Sequence, residues 1–175
     1  VNEIYVVEFD SLPAEKHTVA MNLTGDSNYK DTQASLEITI AKGASSIEIT
    51  NITTPILINT SADVGFKISP NVTDNAVTLW INGKEILTYD FEFATGTFLI
   101  TPDKFPTNGT YNITVQYIGN NNYNASNNAT SQITVNKCDA NMSVEISPVS
   151  YGENATAKVK LPDDAKGSIT VKVEI

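Results

Sequence analysis

One hairpin-like phrase occurs twice in this chain, about 94 residues apart. YNITVQYIGNNNYNASNNATSQITVNK covers residues 111–137, and HTVAMNLTGDSNYKDTQASLEITIAK covers residues 17–42. In each copy, apolar residues alternate with polar ones on both sides of a segment rich in Gly, Asn and Asp. Alternation places the apolar side chains on one face of a strand, and Gly and Asn accept the positive φ angles of tight turns. Each copy therefore predicts two antiparallel strands joined by a hairpin turn.

The correspondence continues beyond the hairpins. Three further segments have later counterparts: 47–49 with 142–144, ADVGFKISP from residue 62 with ATAKVKLP from residue 155, and VTLWI at 77–81 with ITVKV at 169–173. A period near 95 residues is that of a whole domain and is too long for a solenoid unit. Short alternating strands punctuated by Gly, Pro and Asn, with no paired helix start and stop signals, predict an antiparallel β-sandwich.

The place of one tyrosine narrows this sandwich to the immunoglobulin type. Tyr111 follows a Gly-Thr pair and starts a strand whose inward positions are Ile113 and Val115. Immunoglobulin-like domains often place a tyrosine there, with its hydroxyl closing onto the backbone of the preceding corner. His17, the only histidine, holds this place in the earlier copy, and we interpret it as a corner residue with a related hydrogen bond. The predicted fold class is all-β, with tandem immunoglobulin-like antiparallel β-sandwich repeats.

The repeat leaves two divisions of the chain open. If a repeat starts after the lysine that closes each hairpin, residues 43–137 form one complete repeat. Residues 1–42 are then the C-terminal part of a preceding repeat, and 138–175 the N-terminal part of the next. Partial sandwiches expose strand edges and core faces, so the two pieces would complete each other between molecules, head to tail. The alternative division gives two domains, 1–88 and 89–175.

These residues carry a family resemblance. The stretch GTYNITVQYIGNNNY at 109–123, followed by ITVNK and preceded by VTLWINGK, resembles the immunoglobulin-like repeats of large surface proteins. It is most similar to those of methanogenic archaea, called adhesin-like proteins, and more loosely to bacterial immunoglobulin-like repeats. The resemblance covers the whole chain and implies a tandem stalk on a cell surface. The partners it implies are neighbouring repeats and, through the parent protein, other cells and the glycans or proteins of a cell wall or host.

Asparagine is enriched in one pattern. Nineteen asparagines with this Ser and Thr content would give about four Asn-X-Ser/Thr triplets by chance, and the chain has ten. Each is a possible N-glycan acceptor in an exported protein, which favours an extracellular, cell-surface location. An AT-rich genome, which inflates asparagine, is the alternative explanation. The acceptors are Asn22, Asn51, Asn59, Asn71, Asn108, Asn112, Asn124, Asn128, Asn141 and Asn154.

Composition excludes several other classes of function. A net charge of −9, with only 11 Lys and Arg residues, argues against nucleic acid and against an anionic membrane surface. No segment approaches the run of about 18 apolar residues that a membrane span requires. The single cysteine, Cys138, allows no internal disulfide.

The sequence contains no recognisable catalytic constellation. There is no Ser-His-Asp order, phosphate loop or zinc spacing, and Asp90 and Glu92 are interpreted as two acids on one exposed strand face. We therefore expect no enzymatic activity, no catalytic metal and no cofactor. Lys67 is expected to point to water, which argues against an internal isopeptide bond. A structural calcium is the alternative, with scattered candidate ligands at Asp26, Asp31, Asp63, Asp74, Asp103, Asp139, Asp163 and Asp164.

Trp80 is the most informative single side chain. Val77, Leu79 and Ile81 share one strand face, which leaves Trp80 on the other, and its counterpart in the next copy is Lys172. We therefore predict a mainly outward Trp80, which packs against a neighbouring repeat or stacks on a sugar ring. Two functions follow. The first is a non-enzymatic stalk or spacer for cell adhesion, and the alternative is a carbohydrate- or protein-binding module around Trp80.

Overall fold

The computed structural model describes residues 4–73, 75–163 and 165–173. Besides a short 3₁₀ turn at Pro102–Lys104, the regular structure in these ranges is β-strand. None of the described residues lies in a helix long and apolar enough to cross a membrane. The strands are β1 (Lys16–Leu23), β2 (Thr32–Thr39), β3 (Ser46–Ile52), β4 (Ile56–Leu57), β5 (Ala62–Ser69), β6 (Asn75–Ile81), β7 (Lys84–Phe91), β8 (Thr95–Ile100), β9 (Gly109–Tyr117), β10 (Ala129–Asn136), β11 (Ser143–Ile146) and β12 (Ala157–Lys160).

Strands β3 to β10 build one sandwich from two sheets. The larger sheet has the order β4-β10-β9-β6-β7, and the smaller has the order β3-β5-β8. The pairing is antiparallel except between the short β4 and β10, which run parallel. The sandwich thus begins with β3 in the smaller sheet. The chain then crosses to the larger sheet, where β4 lies beside β10, the last strand of the sandwich. This is an immunoglobulin-like topology, and the predicted all-β, immunoglobulin-like sandwich is confirmed.

The core follows the alternation of the sequence. On β6, Val77, Leu79 and Ile81 are buried as predicted, and on β9 Ile113 and Val115 are completely buried. Burying one such side chain contributes about 1.5–3 kcal/mol to stability. Phe66 and Phe98 of the smaller sheet form an aromatic layer with Phe91 of β7 in the larger sheet, and the ring centroids lie 4.7–5.6 Å apart.

The β1–β2 hairpin is built in the same register as the β9–β10 hairpin. Cross-strand pairs correspond at matching positions: His17↔Ile38 with Tyr111↔Ile133, Val19↔Leu36 with Ile113↔Ser131, and Met21↔Ala34 with Val115↔Ala129. The hydrogen bonds that close the turns also correspond, because Asp26 N–H donates to Tyr29 O at 2.9 Å and Asn120 N–H to Tyr123 O at 3.0 Å. Among the described residues, β1 and β2 form a sheet of their own, and Met21 and Leu23 are therefore more than half exposed.

The chain divides into two compact units, one ending at Asn136 and the other beginning at Lys137. The first unit holds the whole sandwich together with the β1–β2 hairpin, although the sequence placed 1–42 in a separate part-repeat. Hydrogen bonds join the residues on either side of the β1–β2 hairpin to the sandwich and account for this grouping. A division at 88/89 would cut through β7 and separate strands that pair within one sheet.

The second unit contains the β11–β12 hairpin. Its Val144↔Val159 pair corresponds to the Ile49↔Phe66 pair between β3 and β5 when the two segments are aligned from Ala62 and Ala155. A strand at 169–173, aligned with β6, does not form. In the sandwich β6 is held between β7 and β9, and the described residues after 137 include no equivalents of those two partners.

Candidate functional site

The predicted corner residues make equivalent hydrogen bonds. The Tyr111 hydroxyl donates to the carbonyl oxygen of Thr107 at 2.8 Å, and its ring packs edge-on against Phe105 at 5.1 Å. His17 Nε2 lies 2.8 Å from the carbonyl oxygen of Pro13, and a carbonyl only accepts, so Nε2 carries the hydrogen. Both bonds reach back four residues. These side chains fix the corner loop before the strand, which is a structural role.

Trp80 lies on the outer face of the larger sheet, as predicted, but it is half-buried rather than mainly exposed. Its cross-strand neighbours on that face are Glu85 of β7 and Thr114 of β9. Because β6 is flanked on both sides, Trp80 has a directly opposite residue on each neighbouring strand, and such residues lie within side-chain reach. Leu79 takes the adjacent core position at 1% exposure.

The exposed aromatic rings do not gather around Trp80. Tyr89 is 59% exposed and Phe93 is 65% exposed. Tyr89 pairs with Val77, so it lies on the core-facing side of edge strand β7, where its ring contacts Phe91 at 4.9 Å. Trp80 lies on the opposite side of the same sheet. A flat or concave ligand would therefore not contact the Trp80 and Tyr89 rings together.

The acidic residues are dispersed. In the ranges that the structure describes, no group of three or more His, Cys, Asp or Glu side chains is arranged to hold a metal ion. Asp26 and Asp31 accept hydrogen bonds from backbone amides of their own turn. Hydrogen bonding from Lys104, at 2.5 Å, lowers the pKa of Asp103 from its usual value. Two further candidate calcium ligands, Asp74 and Asp164, lie outside the described residues.

The remaining candidates for chemistry are Asp90, Glu92, Lys67 and Cys138. Asp90 lies within β7 opposite Ala76, whereas Glu92 follows the end of that strand. Lys67 is exposed, as predicted. Cys138 is a free, exposed thiol.

All ten asparagines of the Asn-X-Ser/Thr triplets are exposed, which is the condition that an attached glycan requires. The side chain of Asn124 contacts an earlier part of the chain. Its side-chain amide donates to the carbonyl oxygen of Lys42 at 3.3 Å, and the serine of its triplet, Ser126, is only 4% exposed. The Ser126 hydroxyl oxygen accepts from the backbone amide of Tyr117 at 3.1 Å.

The sequence did not predict a contact site at residues 119–124, which we call the asparagine turn. Gly119 begins this turn at φ +85°, and a Cβ atom there would lie 2.8 Å from backbone atoms of Tyr123 and Ala125. Asn120 Oδ1 then accepts from the backbone amides of Asn122 and Tyr123, both at 2.9 Å. One asparagine thus closes the turn, and the others are available for contacts outside it.

The asparagine turn is hydrogen-bonded to two earlier parts of the chain. Asn122 Oδ1 accepts from the backbone amide of Ala14, in the corner before β1, at 2.9 Å. The remaining bonds involve the linker 42–45: Lys42 Nζ to Asn120 O at 2.7 Å, Gly43 N to Asn122 O at 2.8 Å, Asn124 N to Gly43 O at 2.9 Å, Asn124 Nδ2 to Lys42 O at 3.3 Å and Ser45 Oγ to Asn124 O at 2.7 Å. The sequence signal was a run of asparagines longer than a hairpin turn needs.

No protein-family model matches the chain, and no curated protein matches it. Solved structures similar to it include two of the CARDB domain of PF1109 from Pyrococcus furiosus. The solution NMR structure is 22% identical to this chain, with a TM-score of 0.36, and the match covers 52% of this chain and 93% of that one. The crystal structure, of that domain in complex with di-metal ions, is also 22% identical, with a TM-score of 0.37, and the match covers 52% of this chain and 86% of that one.

Proposed function

We propose that this chain is a non-enzymatic spacer from an extracellular, cell-surface adhesin-like protein, built from tandem immunoglobulin-like repeats. Each repeat adds length and holds a distal binding region of the parent protein away from the cell. The partners of the spacer itself are the neighbouring repeats. Cell-wall or host glycans or proteins are partners of the parent protein.

The parallel pairing of β4 with β10 is the observation that carries this proposal. Gly43 is hydrogen-bonded to the asparagine turn, at the end of the sandwich from which β10 starts. The chain leaves at Asn136, where β10 ends. Because the first strand of this sheet runs parallel to its last strand, the chain enters at one pole and leaves at the other. The interval from Asn124 to Asn136 spans at most about 40 Å. Because the chain enters and leaves at opposite poles, each such domain adds nearly its own long dimension to the length of the protein.

Two further features support a spacer. The β1–β2 hairpin reproduces the register, turn and corner bond of β9–β10, as expected of a preceding domain of the same kind. The exposed asparagines of ten Asn-X-Ser/Thr triplets suit a solvated outer surface and offer sites for glycans. Such a surface needs no ligand of its own.

The distance across the sandwich tests the proposal. Spin labels are attached to Ala44→Cys and Asn136→Cys in a Cys138→Ser background, because both positions are exposed and mark the two poles. We expect a pulsed-dipolar distance of about 30–40 Å. A distance below about 20 Å would mean that the chain enters and leaves the sandwich at the same pole, which would overturn the spacer geometry.

The alternative function, a carbohydrate- or protein-binding module around Trp80, has less support from the surface. Its Trp80 ring is half-buried, and the most exposed neighbouring ring of the same sheet, Tyr89, lies on the other face. The labelled 175-residue protein is applied to a glycan array and to microbial cells, together with Trp80→Ala. The spacer proposal expects no saturable binding. Saturable binding that is lost in Trp80→Ala would establish the binding module instead.

A further inference from the structure

We propose that the asparagine turn (119–124) is a docking surface for the preceding repeat and fixes the angle between consecutive repeats. The partner it fits is the corner and linker of another repeat of this type. The inference deepens the proposed spacer function and rests on it. With this joint the spacer is a stiff rod, whereas without it the repeats would move freely on their linkers.

The joint is held at two separate places. One is the corner, where Asn122 binds Ala14, and the other is the linker, where Asn124 and Asn120 bind 42–45. The corner is itself fixed to the hairpin, because His17 bonds to Pro13 and the amide of Ile40 donates to Glu15 O at 2.9 Å. Two points of attachment on a fixed body restrict rotation about the linker, which one attachment would permit.

The side chains divide into those that close the turn and those that dock. Asn120 closes the turn with its own side chain, so the Asn122 side chain is left to bind Ala14. In the earlier copy Asp26 closes the turn in the same way, accepting from the amides of Asn28 and Tyr29 at 2.7 and 3.0 Å. Asn28 therefore occupies the place of Asn122 and is exposed. It presents the same amide chemistry to the corner of a like repeat.

Because the linker is short, a small number of hydrogen bonds is sufficient to keep the preceding repeat docked on the asparagine turn. Only six residues separate the end of β2 at Thr39 from the start of β3 at Ser46. A short tether keeps the two surfaces at an effective concentration in the millimolar range, so docking needs little intrinsic affinity. Each bond at this exposed joint then shifts the docked population by about fivefold.

Asn28 provides a matched control for Asn122. Spin labels are attached to Gln33→Cys on β2 and Thr130→Cys on β10, both exposed, in the full chain with Cys138→Ser. We expect a narrow distance distribution that broadens in Asn122→Ala and is unchanged in Asn28→Ala. Tryptic cleavage after Lys42 should accelerate by about fivefold in Asn122→Ala and not in Asn28→Ala. Both substitutions leave the backbone amide bonds of the turns in place.

Lys42→Met is a second test that leaves the turn sequence untouched. It removes the 2.7 Å bond from Lys42 Nζ to Asn120 O, and we expect it to broaden the same distribution. A broad distribution in the protein without joint substitutions, or equal widths for Asn122→Ala and Asn28→Ala, would overturn the docking proposal. If the distance between residues 44 and 136 is still about 30–40 Å in that case, the spacer stands and only the fixed angle is lost.

Discussion

Asn122 accepts a hydrogen bond of 2.9 Å from the backbone amide of Ala14, which lies 108 residues earlier in the chain. The two residues belong to, or directly precede, different copies of one hairpin phrase. Ala14 precedes the first copy in a corner loop, and Asn122 lies in the turn of the second. Asparagine, which the sequence analysis explains by its preference for tight turns, thus also connects the second hairpin to the corner before the first.

Removing the Tyr111 hydroxyl should destabilise the sandwich. Tyr111→Phe leaves the ring against Phe105 but removes the 2.8 Å bond to Thr107 O and the acceptor for the Thr107 amide at 3.2 Å. We expect the free energy of unfolding to fall by about 1–1.5 kcal/mol, measured by urea denaturation. Tyr89→Phe, at a ring that is 59% exposed, is the control and should have little effect. Equal free energies of unfolding for Tyr111→Phe and the unsubstituted protein would show that the corner bond does not stabilise the sandwich.

The same chemical change at Tyr117 should have the opposite sign. Tyr117 is completely buried, and its hydroxyl has no hydrogen-bond partner among the described residues. An unsatisfied buried hydroxyl costs about 1–3 kcal/mol, so Tyr117→Phe should raise the free energy of unfolding by about 1 kcal/mol. The measurement is urea denaturation beside Tyr111→Phe. Destabilisation by Tyr117→Phe would show that the hydroxyl is satisfied in solution, for example by an internal water.

Tyr117 should also contribute to alkaline sensitivity. Burial, with a smaller effect from the charge of Tyr123, raises the pKa of Tyr117 above its ordinary value of 10.0. Above 10.0 the unfolded chain loses this proton more readily than the folded protein, so stability is unaffected below 10.0 and falls as the pH rises beyond it. Tyr117→Phe should show a smaller loss between a pH well below 10.0 and one just above it. Identical losses in both proteins would contradict the raised pKa.

Glycan occupancy should differ between two neighbouring acceptors. In the folded protein the Asn124 amide is bonded to Lys42 O and the hydroxyl of Ser126 is buried, whereas Asn128 and Thr130 are both exposed. We therefore expect Asn128 to carry more glycan than Asn124 when the chain is exported by a glycosylating host. Glycopeptide mass spectrometry measures both sites in one sample. Higher occupancy at Asn124 would contradict this expectation and would place a glycan in the joint.

Local patterns in the sequence were sufficient for the sandwich core and for its corner. Alternation assigned Val77, Leu79 and Ile81 to the core because side-chain direction in a strand depends only on position along it. It did not give the half-burial of Trp80, which depends on neighbours from β7 and β9. The Asn122–Ala14 bond could not be predicted from the sequence, because it depends on how the corner loop and the asparagine turn are placed relative to each other in space. The spacing of residues along the chain does not determine that placement.

The spacer function is tested most directly by pulling the full 175-residue chain from its two ends in a single-molecule force experiment. We expect the sandwich to yield in one cooperative event that releases residues 43–136. These 94 residues, extended and corrected for their folded length, give a contour-length gain of about 300 Å. Extension without a cooperative event, or a gain near half this length, would contradict a spacer whose unit is the whole sandwich.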